Sequence, residues 1–397
     1  MARRDVGARS FGVSQDAAPG DTGSVAAAIR AARTRRTPLR VIGRGTWLDA
    51  GRPVRADAEL SLAALRGVTE YEPGDFTLTA RAGTSLAEIA EVAAREGQWL
   101  TLGPYGSPDG TIGATIATAS WGPLATGYGT PRDHLLGCEV VTGVGEVVRA
   151  GGRVVKNVAG FDLARLMTGA WGTLGAITEV TVRLRAKPEV DRTLAVALSG
   201  EDERPCDDAA RWLRSTPYRP LSAELCSPRM SERIGLEPRT LLLVRIGGND
   251  TLVRAAERAV GELGPTSEID SAVWARLRSA EPSGAVVWRI GTLPASAGAT
   301  WSRAVRLTAA SGGWSHATVA RGVVRCILPA ARTPGEIESL RSIMNELQAS
   351  GSRIVERAPD ALWAEIPSSA ADPLSRDVRR KFDPDCVLNP GILDPTA

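Results

Sequence analysis

The sequence is poor in the two residue types that most often hold metals and redox clusters. Its five cysteines are odd in number, are widely scattered and include no C-x-x-C pair. This pattern argues against a disulfide framework, a structural zinc site and an iron–sulfur cluster held by this chain alone. Its two histidines, His134 and His316, lie too far apart in the chain to form a paired-histidine motif. We therefore predict reduced, buried thiols and no metal site.

Long hydrophobic runs are also missing, as is an excess of either charge. Charged residues or glycine interrupt the apolar stretches, so no window reaches the roughly 18 apolar residues that a membrane helix needs. The basic start, residues 1–16, lacks the apolar centre of a secretory signal. A net charge of +3 is small against 48 basic and 45 acidic residues, and it gives no reason to expect nucleic acid as a partner. The sequence thus predicts a cytoplasmic protein without a transmembrane segment.

Common nucleotide and hydrolase motifs are absent as well. The segment "IGRGTWLDAG" supplies Gly43 and Gly45, but Leu48 stands where G-x-G-x-x-G requires its third glycine. No Walker A sequence, G-x-S-x-G elbow or H-E-x-x-H pair occurs in the chain. Two interpretations of the segment stay open. It is either a tight turn between strands, or a loop whose successive amides bind an anion with help from Arg44 and Thr46.

The chain does contain patterns for more than one domain. Its 397 residues exceed one ordinary core. An alternating strand leads into a helix that Thr84 or Ser85 caps, with Glu88 placed for a capping box. Glycine becomes rarer after Pro188, and strand and helix patterns then alternate. We predict an α+β fold with two domains, residues 1–188 and 189–375, and a turn-rich segment, residues 376–397, that is too short to fold alone and packs against one of the domains.

Two further segments combine glycines with small side chains. In "GTIGATIATASWGP", residues 110–123, most side chains are small, which suits backbone lying against a ligand or another part of the chain. We predict that it is a loop leading into a strand or turn. In "FDLARLMTGAWGTLGAI", Asp162 can cap a short helix and Gly169 suits its left-handed C-terminal position. Gly172 and Gly175 lack such a local reason, unless a positive φ or a close planar or charged group requires them.

Together, three segments resemble a known family. They are "GTIGATIATASWGP", the block from Tyr128 to Leu184 that begins "YGTPRDHLLGCEVV", and the tail "FDPDCVLNPGIL". They look like the FAD-binding domain of the vanillyl-alcohol oxidase/p-cresol methylhydroxylase family and, within it, resemble the FAD-binding E subunits of bacterial glycolate oxidases. The resemblance covers residues 20–190 and the C-terminal end. It implies a two-subdomain FAD-binding domain and an α/β cap domain, with residues 376–397 returning to the FAD-binding domain.

The resemblance also implies which residues bind FAD. The first glycine loop would hold the pyrophosphate, the second segment would run along the diphosphate and the flavin ring, and the third would lie near the ring or the adenosine. The residues implied are Gly43, Arg44, Gly45, Thr46, Trp47, Thr111, Ile112, Gly113, Ala114, Ala117, Thr118, Ser120, Gly122, Gly175 and Ile177.

Some positions depart from the family or stay open. Covalent members often carry a histidine in the first loop, whereas the neighbourhood of Trp47 has none, so we expect non-covalent FAD. That loop also looks shortened relative to the family's version. Lys156 and Asn157 either face the flavin or brace the neighbouring hairpin, and Phe161 replaces the more usual tyrosine.

Catalytic side chains are harder to assign. Related dehydrogenases place paired histidines and a divalent metal in the cap, which this chain cannot do. We interpret His134 as scaffold, and His316, on a predicted cap strand, as the best candidate for a base, although an isolated histidine at a strand edge is usually just partly solvated. Arg289, Arg321 and Arg325 are candidates for clamping a substrate carboxylate. Residues 376–381, a run of charges, are expected at a solvated helix end.

Three hypotheses on function follow. The first is an FAD-binding subunit of a glycolate oxidase-like enzyme that oxidises a small 2-hydroxy acid, glycolate or D-lactate. It would work with a sister flavoprotein subunit and an iron–sulfur subunit, and would be peripheral to the membrane, if at all, through a partner. The second is an autonomous FAD-dependent hydroxy-acid or alcohol dehydrogenase that uses His316 or a cap arginine. The third is a non-catalytic flavin-fold subunit that serves assembly.

Overall fold

The computed structural model describes residues 19–152, 162–200, 202–331, 333–348 and 352–395. Strands β1 to β17 are, in chain order, Leu39–Ile42, Ala58–Ser61, Val68–Glu72, Thr77–Arg81, Gln98–Trp99, Leu135–Val141, Val147–Gly151, Ala176–Arg183, Arg185–Ala186, Val190–Ala197, Ser222–Cys226, Leu241–Gly248, Thr266–Ile269, Val286–Gly291, Trp314–Thr318, Val323–Leu328 and Ser352–Arg357.

Helices α1 to α14 are Thr22–Arg35, Leu86–Ala94, Ile112–Thr118, Ala125–Tyr128, Pro131–His134, Leu163–Met167, Arg204–Ser215, Pro228–Arg233, Asp250–Gly261, Val273–Arg278, Ala297–Ala310, Pro334–Gln348, Asp360–Trp363 and Pro373–Phe382. Short 3₁₀ turns span Pro73–Asp75, Pro294–Ser296 and Val319–Arg321. Among the described residues, no helix is long and apolar enough to cross a membrane.

Three sheets form the N-terminal half of the molecule, the smallest being the antiparallel pair β5–β9. The parallel pair β1–β2 packs with α1 around an apolar cluster of its own. A five-stranded antiparallel sheet in the order β3-β4-β8-β6-β7 stands beside it, and α2, α3 and α6 cover that sheet with a second cluster. Helix α2 begins as predicted, because Ser85 accepts from the Glu88 amide and Glu88 accepts from the Ser85 amide. Asp162 likewise caps α6.

The prediction of a strand or turn in the small-residue segment is wrong, because residues 112–118 form helix α3. Thr111 caps it by accepting a hydrogen bond from the Ala114 amide. The small side chains let this helix lie directly against the five-stranded sheet. A Cβ on Gly113 would be only 2.5 Å from the Cβ of Ala82, so glycine is required by packing there.

An eight-stranded antiparallel sheet forms the second half, in the order β13-β10-β12-β11-β15-β16-β14-β17. We call it the cap sheet. One face is apolar and lies under α7, α9, α11 and α12. The other face is apolar where α8 and α10 cover it, and carries charged side chains over the rest. That polar part, which includes Glu224, His316, Thr318 and Arg325, faces the N-terminal half.

The C-terminal residues return to the start of the chain. Leu388 forms a parallel bridge with Leu39 in β1, and the Leu39 amide donates to the Val387 carbonyl. Helix α14 is not simply a solvated helix end, because Arg379 is buried and donates to the Leu388 carbonyl at 3.1 Å. The domain bounds at residues 188 and 375 stay predictions.

Candidate active site

A cleft runs between the β1–β2 pair and the five-stranded sheet. The loop after β1, residues 43–48, forms one wall, and we call it the glycine loop. Helix α3 and residues 171–177, which lead into β8, form the other wall, and Asn389 closes one end. The cleft has a cavity volume of about 130 Å³ and is open at its mouth.

The structure brings most of the residues implied by the family resemblance to this cleft. Three are elsewhere. Ile112 is buried in the core beneath α3, Ser120 lines a smaller adjoining cavity, and Gly122 packs so tightly that a Cβ would be 2.1 Å from the Gly103 carbonyl. Those that line the cleft are Gly43, Arg44, Gly45, Thr46, Trp47, Thr111, Gly113, Ala114, Ala117, Thr118, Gly175 and Ile177.

The backbone amides of the glycine loop have no acceptor among the described residues, and the loop lines the cleft. The amides of residues 43–47 donate to no acceptor in the part of the chain that the structure describes. The loop is not a tight turn between strands, since residues 43–57 separate β1 from β2. Gly45 has φ +72°, and a Cβ on Gly43 would be 2.5 Å from Thr111 Oγ1. Glycine therefore lets the loop curl and approach α3, leaving a row of donors suited to an anion.

Two tryptophans form the apolar part of the cleft. Trp47 and Trp171 stack with ring centroids 5.9 Å apart and planes 22° apart. The Trp47 indole nitrogen is buried and has no hydrogen-bond acceptor among the described residues. Trp171 has φ +52°, an uncommon backbone conformation for a bulky residue. A strained, aromatic wall with a free donor is consistent with a site for a planar ligand.

The glycines of the second wall now have structural reasons. Gly172 has φ +70°, which favours glycine. Gly175 is needed for packing, because a Cβ there would be 2.3 Å from Val140 Cγ1 on β6. Both residues also line the cleft. Lys156, Asn157 and Phe161 lie outside the described residues.

Asn389 ties the two walls together. Its Oδ1 accepts from the Val41 amide and its Nδ2 donates to the Trp171 carbonyl, both at 2.7 Å. Sequence reasoning did not select Asn389, Trp171 or Gly172 as site residues. The tail segment "NPG" contains Asn389 and marks a turn. It could not reveal the two hydrogen bonds of Asn389, because each partner lies more than two hundred positions away.

The donors and surfaces of the cleft fit a flavin dinucleotide. Unpaired amides suit a diphosphate, and the small residues of α3 with the apolar residues Val41, Leu62 and Ile177 suit flat rings. No histidine or cysteine is among the described residues that line the cleft. No group of three or more metal-ligating side chains occurs within the described ranges either.

Arginines of the cap half lie over aromatic rings of the N-terminal half. Each guanidinium carbon is within 6 Å of a ring centroid, the distance at which cation–π attraction is appreciable. The pairs are Arg245–Trp99 at 5.1 Å, Arg325–Tyr105 at 4.4 Å, Arg289–Trp121 at 5.6 Å, Arg321–Trp121 at 5.5 Å and Arg357–Trp47 at 5.8 Å.

His316 is not the partly solvated strand-edge residue that the sequence suggested. It lies on β15, between β11 and β16 in the sheet, and is 1% exposed. Its Nδ1 is 2.9 Å from Glu224 Oε2, and its ring packs against Tyr105. It does not line the cleft or the adjoining cavity. The catalytic role of His316 therefore stays a prediction, without a direct path to the cleft.

The arginines proposed to clamp a substrate carboxylate, Arg289, Arg321 and Arg325, already have partners within the protein. Arg325 is 2.5 Å from both Glu281 Oε1 and Glu356 Oε2, and Arg289 is 2.5 Å from Glu356 Oε1. Burial alone would lower the pKa of Arg325, but the two carboxylates raise it above its ordinary value. Arg321 donates to the Ala125 carbonyl at 3.3 Å. These arginines serve first to hold the cap sheet together and against the N-terminal half.

His134 has partners that fit a scaffold role. Its Nε2 is 2.7 Å from Thr101 Oγ1 and its Nδ1 is 2.9 Å from the Thr130 carbonyl. Burial lowers its pKa. Both ring nitrogens are thus used within the fold.

Comparison with known proteins bears on this geometry. The FAD binding domain family matches residues 14–151. The chain is 32% identical over 269 residues to glycolate oxidase subunit GlcE of Escherichia coli, covering 66% of this chain and 70% of that protein. It is 33% identical over 178 residues to glycolate oxidase subunit GlcD of Bacillus subtilis, covering 45% of this chain and 38% of that protein.

A third relative and a solved structure are also similar to this chain. The chain is 34% identical over 188 residues to the D-2-hydroxyglutarate dehydrogenase of Xanthomonas citri, covering 47% of this chain and 40% of that protein. The structure of p-cresol methylhydroxylase with substrate bound superposes with a TM-score of 0.75 at 16% identity, covering 94% of this chain and 87% of that one. The chain belongs to the FAD-binding oxidoreductases of the p-cresol methylhydroxylase type.

Proposed function

We propose that the chain is the FAD-binding subunit of a glycolate oxidase-like enzyme. It holds FAD non-covalently in the cleft, takes up electrons released from a small 2-hydroxy acid such as glycolate or D-lactate, and passes them to a partner or an external acceptor. The chemistry that bound FAD supplies is reversible acceptance of a hydride or of single electrons.

The unpaired amides of the glycine loop are the observation that carries this proposal. Five successive donors beside the start of α3 match the diphosphate of FAD, and Arg44 and Thr46 add side-chain donors. Ala114, Ala117 and Thr118 offer a flat surface for a ring, and Gly175 and Ile177 belong to the same wall of the cleft. Ile112, Ser120 and Gly122 would act indirectly, by supporting α3 and the segment after it.

Non-covalent attachment is supported by the lining of the cleft. The described lining residues include no histidine or cysteine whose side chain could form a bond to the flavin. Trp47 and Trp171 offer stacking instead.

A partner is part of the proposal because no free base lies among the described residues that line the cleft. His316 is buried behind Tyr105, and the cap arginines are paired with glutamates. A sister flavoprotein subunit would provide the base that removes the hydroxyl proton, and an iron–sulfur subunit would receive electrons. This arrangement favours a heteromer, cytoplasmic or peripheral to the membrane through a partner, over an autonomous dehydrogenase.

The visible spectrum of the purified chain, recorded with and without a sister subunit, tests the proposal. We expect flavin absorbance that trichloroacetic acid releases into the supernatant, no bleaching by glycolate or D-lactate without oxygen, and bleaching once the sister subunit is added. A chain with no flavin absorbance and no rise in Tm with FAD would support the assembly subunit instead. Bleaching of the chain alone would support the autonomous enzyme.

A further inference from the structure

Tyr105 inserts from the loop between β5 and α3 into the polar part of the cap sheet. Its ring centroid is 5.2 Å from that of His316, and the guanidinium carbon of Arg325 lies 4.4 Å from the ring centroid. The residue is buried, and the next amide, that of Gly106, donates to the Arg278 carbonyl at 2.9 Å. The loop is therefore fixed to the cap half, with the phenol ring inside it.

The side chains of Glu224, His316, Thr318 and Arg325 surround the phenol; we call these surroundings the cap pocket, and they suit a neutral hydroxyl. Burial and the neighbouring Glu224 raise the pKa of Tyr105 well above its ordinary value. Its hydroxyl lies near Thr318 but makes no well-formed hydrogen bond within the described residues. Glu224 is fully buried, and it accepts from Thr318 Oγ1 at 2.6 Å and pairs with His316 Nδ1 at 2.9 Å. A buried carboxylate thus stands close to the hydroxyl end of this pocket.

The same surroundings are unfavourable for a carboxylate ligand. A hydroxy acid entering here would place its negative charge near Glu224, and like charges in a buried site repel strongly. Arg325 offers no compensation, because Glu281 and Glu356 already engage its guanidinium at 2.5 Å. The pocket therefore discriminates in favour of a neutral hydroxyaromatic group.

Tyr105 also separates this pocket from the cleft. It lines the small adjoining cavity together with Thr46, Trp47, Thr118 and Ser120, and the first three of these line the cleft as well. His316 lines neither space. A molecule in the cleft would meet Tyr105 before it could reach the histidine.

We propose that Tyr105 is the resident occupant of the cap pocket and determines specificity by closing the His316 side of the flavin site to hydroxy acids. The inference rests on the proposed function and deepens it, because it explains why this chain needs another subunit to oxidise the acid. Removing the ring should leave a cavity that a phenol can enter and a carboxylate cannot.

Cavity rescue in the FAD-loaded chain tests this directly. Tyr105→Ala should lower Tm by about 5–10 °C, and 10 mM phenol should restore about 2–4 °C of that loss. Glycolate at the same concentration should restore none. The native chain and Tyr105→Phe, which keeps the ring, should show no phenol-dependent rise. If Tyr105→Ala does not fold, Tyr105→Leu leaves a smaller cavity for the same measurement.

Equal responses to phenol in the native chain and the truncated variant would overturn the inference, as would rescue by glycolate. Flavin absorbance is recorded on the same samples. A chain without bound FAD would contradict the proposed function, whereas an FAD-loaded truncation variant that ignores phenol would contradict only the role of Tyr105.

Discussion

Around the cleft, five successive amides of the glycine loop have no acceptor among the described residues, whereas on the polar part of the cap sheet the charged side chains hold one another. Arg325 binds two glutamates, Arg289 shares one of them, and His316 pairs with Glu224. The glycine loop is mostly exposed, so its amides can exchange water for an anion, whereas the buried cap charges already satisfy one another. Charged residues in a cap are therefore weak evidence for a substrate site unless their partners are known.

The largest effect should come from breaking the pairing in the cap. Arg325→Met would leave Glu281 and Glu356 buried without their shared cation, and should lower the free energy of unfolding by about 3–5 kcal/mol. Urea denaturation of the FAD-loaded chain measures this change in the free energy of unfolding. FAD affinity in the folded variant should stay nearly native, because the guanidinium does not line the cleft.

The matched control is Arg321→Met. This arginine also lies over an aromatic ring, at 5.5 Å from Trp121, but its side chain is exposed. Its loss should cost less than about 1 kcal/mol. An equally small loss of unfolding free energy for Arg325→Met would show that Glu281 and Glu356 do not need Arg325 as a partner.

The next largest effect should come from the tie across the cleft. Asn389→Ala removes two hydrogen bonds of 2.7 Å and places alanine at φ +44°, so it should cost about 2–4 kcal/mol and raise the Kd for FAD at least tenfold. Fluorescence titration of the apoprotein with FAD measures the Kd. Asn389→Gly tolerates the backbone conformation and separates strain from the lost hydrogen bonds. Native FAD affinity in both variants would contradict the role of Asn389 in joining the two walls of the cleft.

A smaller effect is expected where the glycine loop approaches α3. The Cβ of Gly43→Ala would meet Thr111 Oγ1 at 2.5 Å, and Thr111 caps α3. Displacing the loop or the cap costs about 1 kcal/mol, so the Kd for FAD should rise about fivefold. Gly74→Ala is the control, because a Cβ there meets nothing within 4 Å. Equal affinities of the two variants would show that the loop binds nothing.

The distance along the chain between a residue and its partners decided which features the sequence could predict. Caps such as Ser85 with Glu88, and Asp162, depend on residues three positions apart, so the local pattern was sufficient. Helix α3 was missed because small side chains fit a helix, a turn or a strand equally, and the choice depends on contact with Ala82. His316 was correctly placed on a strand, but its burial depends on β11 and β16 as neighbours, an order that no local pattern encodes.

The smallest effect should come from the exposed cation of the glycine loop. Arg44 lies 4.0 Å from Glu88 and lines the cleft, so it can contribute only a screened attraction to a diphosphate. Arg44→Gln should raise the Kd for FAD about two- to fivefold at low salt, with the difference shrinking towards 0.5 M salt, because added ions screen a charge but not a row of amides. Arg95→Gln, exposed at the C-terminal end of α2 and outside the cleft lining, is the control for general charge. If the loss from Arg44→Gln were large and persisted at high salt, the side chain rather than the backbone would be the main anchor, and the free amides would need another explanation.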